Sequence, residues 1–301
     1  MEHRECEMIV GIVGLGRMGA AMAERLRSVG FDVIGWDHSP AANQKAAAAG
    51  LRLAGSAGEV AARSATIISS ITEDNGARRI FTGADGFLQA DIGGKLFVEM
   101  STLQPMTGRE LAPLVDARGA RFIEAPVLGT IPQARAGTLF AMAGGRPEDV
   151  ERARPVLEQL TRRIEHMGPH GSGYAMKLAA NIGLGAYVQA IAESLALGLK
   201  QGLALDAMVD ALQESATACG WLKAKAGVLR GDAAEMTLDI RTLRKDIMSA
   251  VATGALTGVP MPLSSATLAS LSAAVEGGYA KVDIAELPKF FREAMLQDFA
   301  R

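Results

Sequence analysis

In the first half of the chain, short apolar segments alternate with amphipathic ones. The apolar segments are rich in β-branched and aromatic residues, which predicts buried parallel strands. Between them, periodic apolar positions predict helices, most clearly over residues 17–29 and 105–117. Strands that alternate with helices are typical of a doubly wound α/β domain around a parallel sheet. The predicted strands are residues 8–13, 31–36, 66–71, 95–100, 121–127 and 138–143.

The alternation stops at residues 168–173, which read Gly-Pro-His-Gly-Ser-Gly. Beyond this segment the chain is rich in alanine, leucine and methionine, and no stretch has the pattern of a strand. We therefore predict a domain boundary near residue 170, with an α/β domain over residues 1–170 and an all-α domain over 171–301. The predicted helices of the second domain are residues 172–201, 205–214, 238–256 and 262–275.

Composition narrows the class of protein and of partner. Hydrophobic residues make up 49% of the chain, charged residues 21%, and the formal net charge is -2. This balance is typical of a globular protein and provides no basic field for nucleic acid or an anionic membrane. The two cysteines, Cys6 and Cys219, have no metal-type spacing and predict no disulfide framework, which favours the cytoplasm.

Two further segments bear on membranes. Residues 1–7 are mixed in charge and predict no signal peptide. The uncharged run 178–192 is short for a bilayer span and contains polar side chains, so we expect a buried helix there.

A glycine-rich loop follows the first predicted strand and opens the first predicted helix. Residues Gly14, Leu15, Gly16, Arg17, Met18 and Gly19 read G-x-G-x-x-G. The three glycines suit a tight turn, close approach of a pyrophosphate and close packing of helix on strand. The helix N-terminus would add free N–H groups for the phosphates. Strand, loop, helix and second strand occur in the order of a Rossmann dinucleotide-binding domain.

An acidic residue, Asp37, ends the second predicted strand. An acid about 20 residues after the glycine loop accepts hydrogen bonds from the ribose hydroxyls of the adenosine and repels a 2′-phosphate. No Arg or Lys stands at residues 38–40 to offset that charge. We therefore expect NAD to be preferred over NADP. The alternative is that Asp37 only starts the turn Asp-His-Ser-Pro.

One charge stands out in the apolar helix that opens the second domain. Lys177 is the only charged residue between residues 171 and 192, and Asn181 follows on the same helix face. Partial burial near a helix N-terminus would favour the neutral amine and suit proton transfer. On this pattern alone, a lysine that extends to solvent is the more common alternative.

Four segments, in order along nearly the whole chain, resemble motifs of the β-hydroxyacid dehydrogenases, the 3-hydroxyisobutyrate dehydrogenase group. The first is the glycine loop with its continuation, which is similar to G-x-G-x-M-G-x-x-M. The second stands in the place of D-x-P-V-S-G-G and A-x-x-G-T-L, the third matches G-x-G-x-x-x-K-x-x-x-N, and the fourth matches K-D. These segments are residues 14–22, 124–130 with 136–139, 171–181 and 245–246.

The resemblance implies a role for each matching residue. Lys177 is implied as the acid/base that exchanges a proton with the substrate oxygen while hydride moves to or from nicotinamide C4. Asn181 is implied to place the substrate, and Thr102 and Lys245 to line the nicotinamide and substrate cleft. The pair Ile71-Thr72 stands where the family usually has Leu-Pro beside the cofactor. A water-excluding cleft between the domains suits hydride transfer.

The chain departs from the family in the predicted substrate loop. Leu128, Gly129 and Thr130 replace Ser-Gly-Gly, so a serine hydroxyl expected near the substrate carboxylate is lost. Gly129 still allows a close backbone N–H, and Thr130 is a candidate to replace the hydroxyl. These changes predict a pocket for a bulkier or less polar hydroxy acid or semialdehyde.

Two other functions remain open at this stage. One is an imine reductase on the same scaffold, against which Lys177 and Asn181 count. The other is a dinucleotide-sensing protein without catalysis, which the altered substrate loop favours. In each case we expect a homodimer or homotetramer, because residues 195–199 are apolar on more than one helix face. We expect no metal site, since a Gly-Pro pair separates His166 from His170.

Overall fold

The computed structural model describes residues 9–233 and 236–297, which form two compact units that divide between Leu178 and Ala179. We call them the α/β unit and the helical unit. Met8, where the first strand was predicted to begin, and Cys6 lie outside the described residues. The domain boundary near residue 170 stays a prediction.

A nine-stranded sheet forms the centre of the α/β unit, with the strand order β3-β2-β1-β4-β5-β6-β8-β7 and β9 beside β8. The strands from β3 to β6 are parallel. The predicted α/β fold class is thereby confirmed. The strands are β1 Val10–Val13, β2 Val33–Trp36, β3 Arg52–Leu53, β4 Thr66–Ser69, β5 Leu96–Glu99, β6 Arg121–Glu124, β7 Val127–Leu128, β8 Leu139–Gly144 and β9 Thr161–Gly168.

Helices cover both faces of this sheet because successive residues of a strand point to opposite sides. In β5, Leu96 and Val98 belong to a core cluster with residues of α1, α6 and α7. Phe97 belongs to a second cluster with residues of α3, α4 and α5. The helices are α1 Arg17–Ser28, α2 Pro40–Ala48, α3 Ala57–Arg63, α4 Asp74–Thr82, α5 Pro105–Asp116, α6 Ile131–Ala136 and α7 Pro147–Leu160.

One edge of the sheet differs from the all-parallel prediction. β8 runs antiparallel to β6 and β7, and β9 pairs with β8 in parallel. The predicted strand 121–127 is interrupted at Ala125 and Pro126, so that β6 and β7 are separate. β9 was not predicted, because it is a polar edge strand that begins Thr-Arg-Arg and has no run of apolar residues. Arg162 and Arg163 in it are exposed.

The helical unit contains the predicted helices and two that were not predicted. The long helix α8, Ser172–Lys200, begins in the α/β unit and continues into the helical unit. The two helices that were not predicted are α10 and α13. The remaining helices are α9 Leu205–Glu214, α10 Gly220–Arg230, α11 Ile240–Thr257, α12 Pro262–Ala274 and α13 Leu287–Gln297, with a π-helical turn at Val275–Tyr279 and a short 3₁₀ turn at Ile284–Glu286.

Helix α8 is long and apolar enough, by length and composition, to cross a membrane. Of its most apolar 18-residue window, 44% is buried within the protein. Core helices of soluble proteins have the same two properties. The interpretation of residues 178–192 as a buried helix stays a prediction.

A buried ion pair connects α10 to the segment before α13. Lys225 Nζ lies 2.7 Å from Asp283 Oδ2, and both side chains are less than a tenth exposed. The backbone N–H groups of Thr237 and Ala285 also donate to the Asp283 carboxylate. Burial opposes its ionisation, but these hydrogen bonds outweigh burial and keep the pKa of Asp283 below its ordinary value. The carboxylate thus joins three segments of the helical unit.

Asp283→Ala should destabilise the helical unit by about 3–5 kcal/mol, because it leaves the Lys225 ammonium buried without this partner. Urea unfolding followed by circular dichroism measures the change. The control is Asp210→Ala, which removes an exposed partner of Arg230 and should cost less than about 1 kcal/mol. Equal, small costs for both variants would contradict the structural role of Asp283.

Candidate functional site

The candidate residues of the α/β unit lie at the carboxyl ends of neighbouring parallel strands. The glycine loop follows β1, Asp37 follows β2, the pair Ile71-Thr72 lies just beyond β4, and Thr102 lies just beyond β5. Strands β2, β1, β4 and β5 are adjacent in the sheet. Their carboxyl ends therefore meet at one edge, which is where open α/β sheets bind ligands.

The three glycines of the loop differ in their surroundings. Gly14 has a φ of +94°, and a Cβ there would lie 2.1 Å from the carbonyl oxygen of Ser70. A Cβ on Gly19 would lie 1.8 Å from the carbonyl oxygen of Gly14. A Cβ on Gly16 would meet no protein atom within 4 Å. Gly14 and Gly19 are thus needed for packing, whereas Gly16 leaves room for a ligand.

The start of α1 fits the pyrophosphate of a dinucleotide. Gly16 caps the helix without a side-chain hydrogen bond, and the first turn contains no acidic residue. The first-turn N–H groups and the helix dipole are therefore suited to an anion. Leu15 and Met18 pack into the core, so a ligand would meet their backbone, and the side chain of Arg17 is exposed.

Asp37 starts the turn after β2, and its binding to the ribose stays a prediction. Its Oδ2 accepts a hydrogen bond from the backbone N–H of Leu15 at 2.7 Å, and its Oδ1 accepts one from Ser39 N–H at 2.8 Å. His38 Nδ1 lies 3.2 Å from Oδ1. The carboxylate starts the turn and also anchors the glycine loop. Because each carboxylate oxygen accepts two hydrogen bonds, ribose hydroxyls can still be bound.

The loops after β4 and β5 are joined by Ser101. The backbone N–H of Ile71 donates to Ser101 Oγ at 2.6 Å. Ile71 is half-buried and packs against the core, Thr72 is exposed, and Thr102 is half-buried. The two loops that hold the predicted nicotinamide-side residues are therefore held together.

Beneath these loops lies a buried carboxyl that the sequence analysis missed. Glu99, the last residue of β5, has 0% exposure. It accepts hydrogen bonds from Ser69 Oγ at 3.3 Å, from the hydroxyl and backbone N–H of Ser101, and from Tyr174 Oη at 2.5 Å. Burial raises the pKa of Glu99 to about 7, and these hydrogen bonds limit the rise. A charged residue that ends an apolar strand was the signal available in sequence.

Tyr174 is fully buried in the first turn of α8. Burial and the nearby Glu99 carboxyl raise the pKa of Tyr174 well above its ordinary value. Its hydroxyl is therefore protonated and donates to Glu99. A Cβ on Gly108 of α5 would lie 3.0 Å from the Tyr174 ring, so the ring is tightly packed.

The predicted substrate loop is constrained by its own backbone. Leu128 is half-buried. Gly129 has a φ of +136°, and a Cβ there would lie 2.6 Å from the Leu139 side chain. The Thr130 hydroxyl and N–H both donate to Gln133 Oε1, at 3.1 and 2.8 Å, at the start of α6. The hydroxyl proposed to replace the missing serine thus has a local partner, and its substrate role stays a prediction.

Lys177 and Asn181 lie one turn apart on α8. Lys177 is half-buried at the end of the α/β unit, and Asn181 is buried at the start of the helical unit. Within the helical unit, Asn181 Nδ2 donates to Asp246 Oδ2 at 2.6 Å, and Lys245 Nζ lies 2.7 Å from Asp246 Oδ1. The structure therefore brings Asn181 and Lys245 together through a buried aspartate. The K-D motif contained this aspartate, but its contact with Asn181 was not predicted.

His166 and His170 face different protein groups. His166 Nε2 lies 2.9 Å from the carbonyl oxygen of Gly145, and His170 Nδ1 lies 3.5 Å from Glu124 Oε2. Within residues 9–233 and 236–297, no group of three or more His, Cys, Asp or Glu side chains is arranged to hold a metal ion.

Two family models together match most of the chain. Residues 9–168 match the NAD-binding domain of 6-phosphogluconate dehydrogenase. Residues 171–291 match the NAD-binding domain of NADP-dependent 3-hydroxyisobutyrate dehydrogenase.

Full-length relatives agree with these matches. The chain is 32% identical to 3-hydroxyisobutyrate dehydrogenase of Pseudomonas aeruginosa, over 94% of this chain and 98% of the relative. It is 29% identical to glyoxylate/succinic semialdehyde reductase 1 of Arabidopsis thaliana, over 95% of this chain and 100% of the relative. A solved structure of 3-hydroxyisobutyrate dehydrogenase from Mycobacterium tuberculosis with L-serine superposes with a TM-score of 0.83 at 30% identity, covering 95% and 99% of the two chains.

Two glycine variants separate packing from ligand approach in the loop. Gly16→Ala should leave the unfolding midpoint nearly unchanged but weaken NADH binding at least tenfold, because only a ligand occupies the space that the methyl group enters. Gly19→Ala should destabilise the protein by about 1–3 kcal/mol or more, because its methyl group overlaps a carbonyl oxygen. NADH fluorescence titration and thermal unfolding measure the two effects. Unchanged NADH affinity in Gly16→Ala would argue against a pyrophosphate site at this loop.

Proposed function

Because this chain belongs to the 3-hydroxyisobutyrate dehydrogenase family of NAD(P)-dependent β-hydroxyacid and semialdehyde dehydrogenases, we propose that it oxidises a small β-hydroxy acid, or reduces the matching semialdehyde, with Lys177 as general acid/base. Bound NAD(P) supplies the hydride acceptor or donor at nicotinamide C4. In oxidation, the neutral Lys177 amine takes the hydroxyl proton while the hydride leaves the same carbon. In reduction, the Lys177 ammonium returns that proton to the carbonyl oxygen.

The observation that carries this proposal is the placement of Lys177 and Asn181 on one helix. Both lie in the N-terminal part of α8, one turn apart, within a run where residues 171–192 contain no other charge. Side chains at i and i+4 project from the same helix face, so both can reach one substrate.

Asp246 supports the second residue of this pair. Its hydrogen bond to Asn181 Nδ2 orients the amide, and its ion pair with Lys245 holds that ammonium beside the same carboxylate. We propose that Asn181 binds the substrate and that Lys245 faces the cofactor and substrate. The buried Asp246 carboxylate then holds the Asn181 amide and the Lys245 ammonium close to each other.

The substrate loop supports a less polar substrate than those of the named relatives. Leu128 stands where the family has a serine, and the Thr130 hydroxyl already donates to Gln133. A carboxylate at this loop would meet backbone N–H groups rather than a serine hydroxyl. We propose a hydroxy acid or semialdehyde with a bulkier or more apolar substituent near Leu128.

Lys177→Ala should reduce kcat by a hundredfold or more, because general acid/base groups contribute about 10²–10⁴-fold. NADH should still bind with an affinity close to that of the wild type. The assay follows NADH formation with a panel of β-hydroxy acids and NADH consumption with semialdehydes. Lys200→Ala, at the exposed end of the same helix, is the matched control and should keep full activity.

The same assay separates the alternative functions. Turnover by Lys177→Ala within about threefold of the wild type would remove the lysine from the mechanism. Flat traces of the wild type across the panel, with tight NADH binding, would favour the dinucleotide sensor. Turnover of a cyclic imine alone would favour the imine reductase.

We also propose that Asp37 makes NADH the preferred cofactor. The wild type should have a higher kcat/KM with NADH than with NADPH, since the carboxylate repels a 2′-phosphate. Asp37→Asn keeps the shape of the side chain and removes its charge. It should lower the ratio of kcat/KM with NADH to kcat/KM with NADPH about tenfold or more. His38→Ala tests whether the neighbouring imidazole contributes, and should leave the ratio nearly unchanged. A wild-type preference for NADPH would overturn this assignment.

Two proposals concern the setting of the enzyme. We propose that this protein is cytoplasmic, as its cysteine usage predicts. Its relative in mouse, by contrast, is mitochondrial. We also propose a homodimer or homotetramer, because Leu197, Leu256 and Leu263 of the helical unit are 67%, 71% and 58% exposed. Apolar side chains at such exposure favour burial against another chain.

A further inference from the structure

The carboxyl of Glu99 is hydrogen-bonded to three separate elements of the α/β unit. Ser69 is the last residue of β4, Ser101 lies in the loop after β5, and Tyr174 lies in the first turn of α8. Together they supply four donors to the two carboxyl oxygens. The oxygens of a carboxyl have about four acceptor positions, so these donors fill them.

One branch of this network leads to the loops on the predicted nicotinamide side. The Ser101 hydroxyl donates to Glu99 and accepts the backbone N–H of Ile71 at 2.6 Å. Its rotamer is therefore set from both sides. Thr72 and Thr102, the predicted cofactor contacts, are the next residues along these two loops.

The other branch leads to the helix that carries the proposed acid/base. Tyr174 Oη donates to Glu99 Oε2 at 2.5 Å. Lys177 follows Tyr174 at i+3, on the same side of α8. A hydrogen bond that holds Tyr174 against the sheet therefore fixes the rotation and height of the turn from which Lys177 extends.

Burying the Glu99 carboxyl costs free energy of folding. A fully buried carboxyl loses its hydration, and an apolar side chain of similar size would pack in the same space at lower cost. The raised pKa of Glu99 reflects this loss of hydration. Packing alone does not explain why four donors from three elements converge on this carboxyl.

We propose that Glu99 is a positioning residue for hydride transfer: through Tyr174 it fixes Lys177 on α8, and through Ser101 it fixes the backbone beside the nicotinamide. This inference rests on the proposed function, in which Lys177 exchanges the proton. It assigns Glu99 no direct contact with the substrate.

The two branches have different kinetic signatures. Tyr174→Phe removes only the hydroxyl and keeps the packed ring, so kcat should fall at least tenfold while the Kd for NADH stays within twofold. A misplaced Lys177 should also make proton transfer slower, which raises the solvent deuterium isotope effect on kcat. Ser101→Ala should raise the Kd for NADH several-fold and change kcat less. Glu99→Gln should produce both effects.

A double-mutant cycle tests whether Tyr174 acts through Glu99. In the Glu99→Gln background, adding Tyr174→Phe should lower kcat by less than twofold, because the branch is already broken. Tyr279→Phe is the matched control, since Tyr279 donates to Glu293 in the helical unit and has no place in this network. Independent, multiplicative effects of the two substitutions, or wild-type kcat in Tyr174→Phe, would overturn the proposal.

A readout without turnover keeps the inference apart from the proposed function. If the wild type has no activity on the panel, the proposed function fails, and amide hydrogen exchange still reports on the network. Backbone amides of residues 175–178 should exchange at least tenfold faster in Tyr174→Phe than in the wild type or Tyr279→Phe. Equal exchange in all three proteins would overturn the positioning role. If Glu99→Gln does not fold, the Tyr174 and Ser101 variants decide the matter.

Discussion

The burial of one carboxyl constrains much of the α/β unit. Glu99 ends β5 with no exposure, and it is stable there because hydroxyl and N–H donors from three elements converge on it. Such a group tolerates little displacement, since each lost hydrogen bond leaves a buried polar atom unsatisfied. The ends of β4 and β5 and the first turn of α8 are therefore fixed relative to one another. The positions of the predicted nicotinamide-side loops and of Lys177 depend on the ends of these two strands and on this first helical turn.

A second constraint, which is steric, acts on the glycine loop at the carboxyl end of β1. Gly14 and Gly19 allow β1, α1 and the loop after β4 to approach more closely than any side chain would permit. Asp37 then ties the glycine loop to the end of β2 through the N–H of Leu15. Close packing and one carboxylate thus hold open a site whose only free glycine surface is at Gly16.

The predicted substrate loop departs from the family motif at Leu128 and Thr130. Gly129 has a positive φ of +136°, which favours glycine at this turn. The chemistry beside it changes, because Leu128 is apolar and Thr130 is engaged with Gln133. The scaffold of the family and the side chains of this loop can thus vary separately. This separation is how one scaffold serves several hydroxy acids and semialdehydes.

Local patterns in the sequence were enough to determine the strand and helix alternation and the place of the glycine loop, and to select Asp37, Lys177 and Asn181 as candidates, whose roles stay predictions. Each of these depends on residues a few positions apart, so periodicity and spacing report them directly. Only the tertiary structure decided that β8 runs antiparallel, that Tyr174 reaches Glu99 and that Asn181 reaches Asp246. Those contacts join residues 75 and 65 positions apart. Their formation depends on how strands and helices are arranged in space, and a local pattern of polar and apolar residues carries no record of that arrangement.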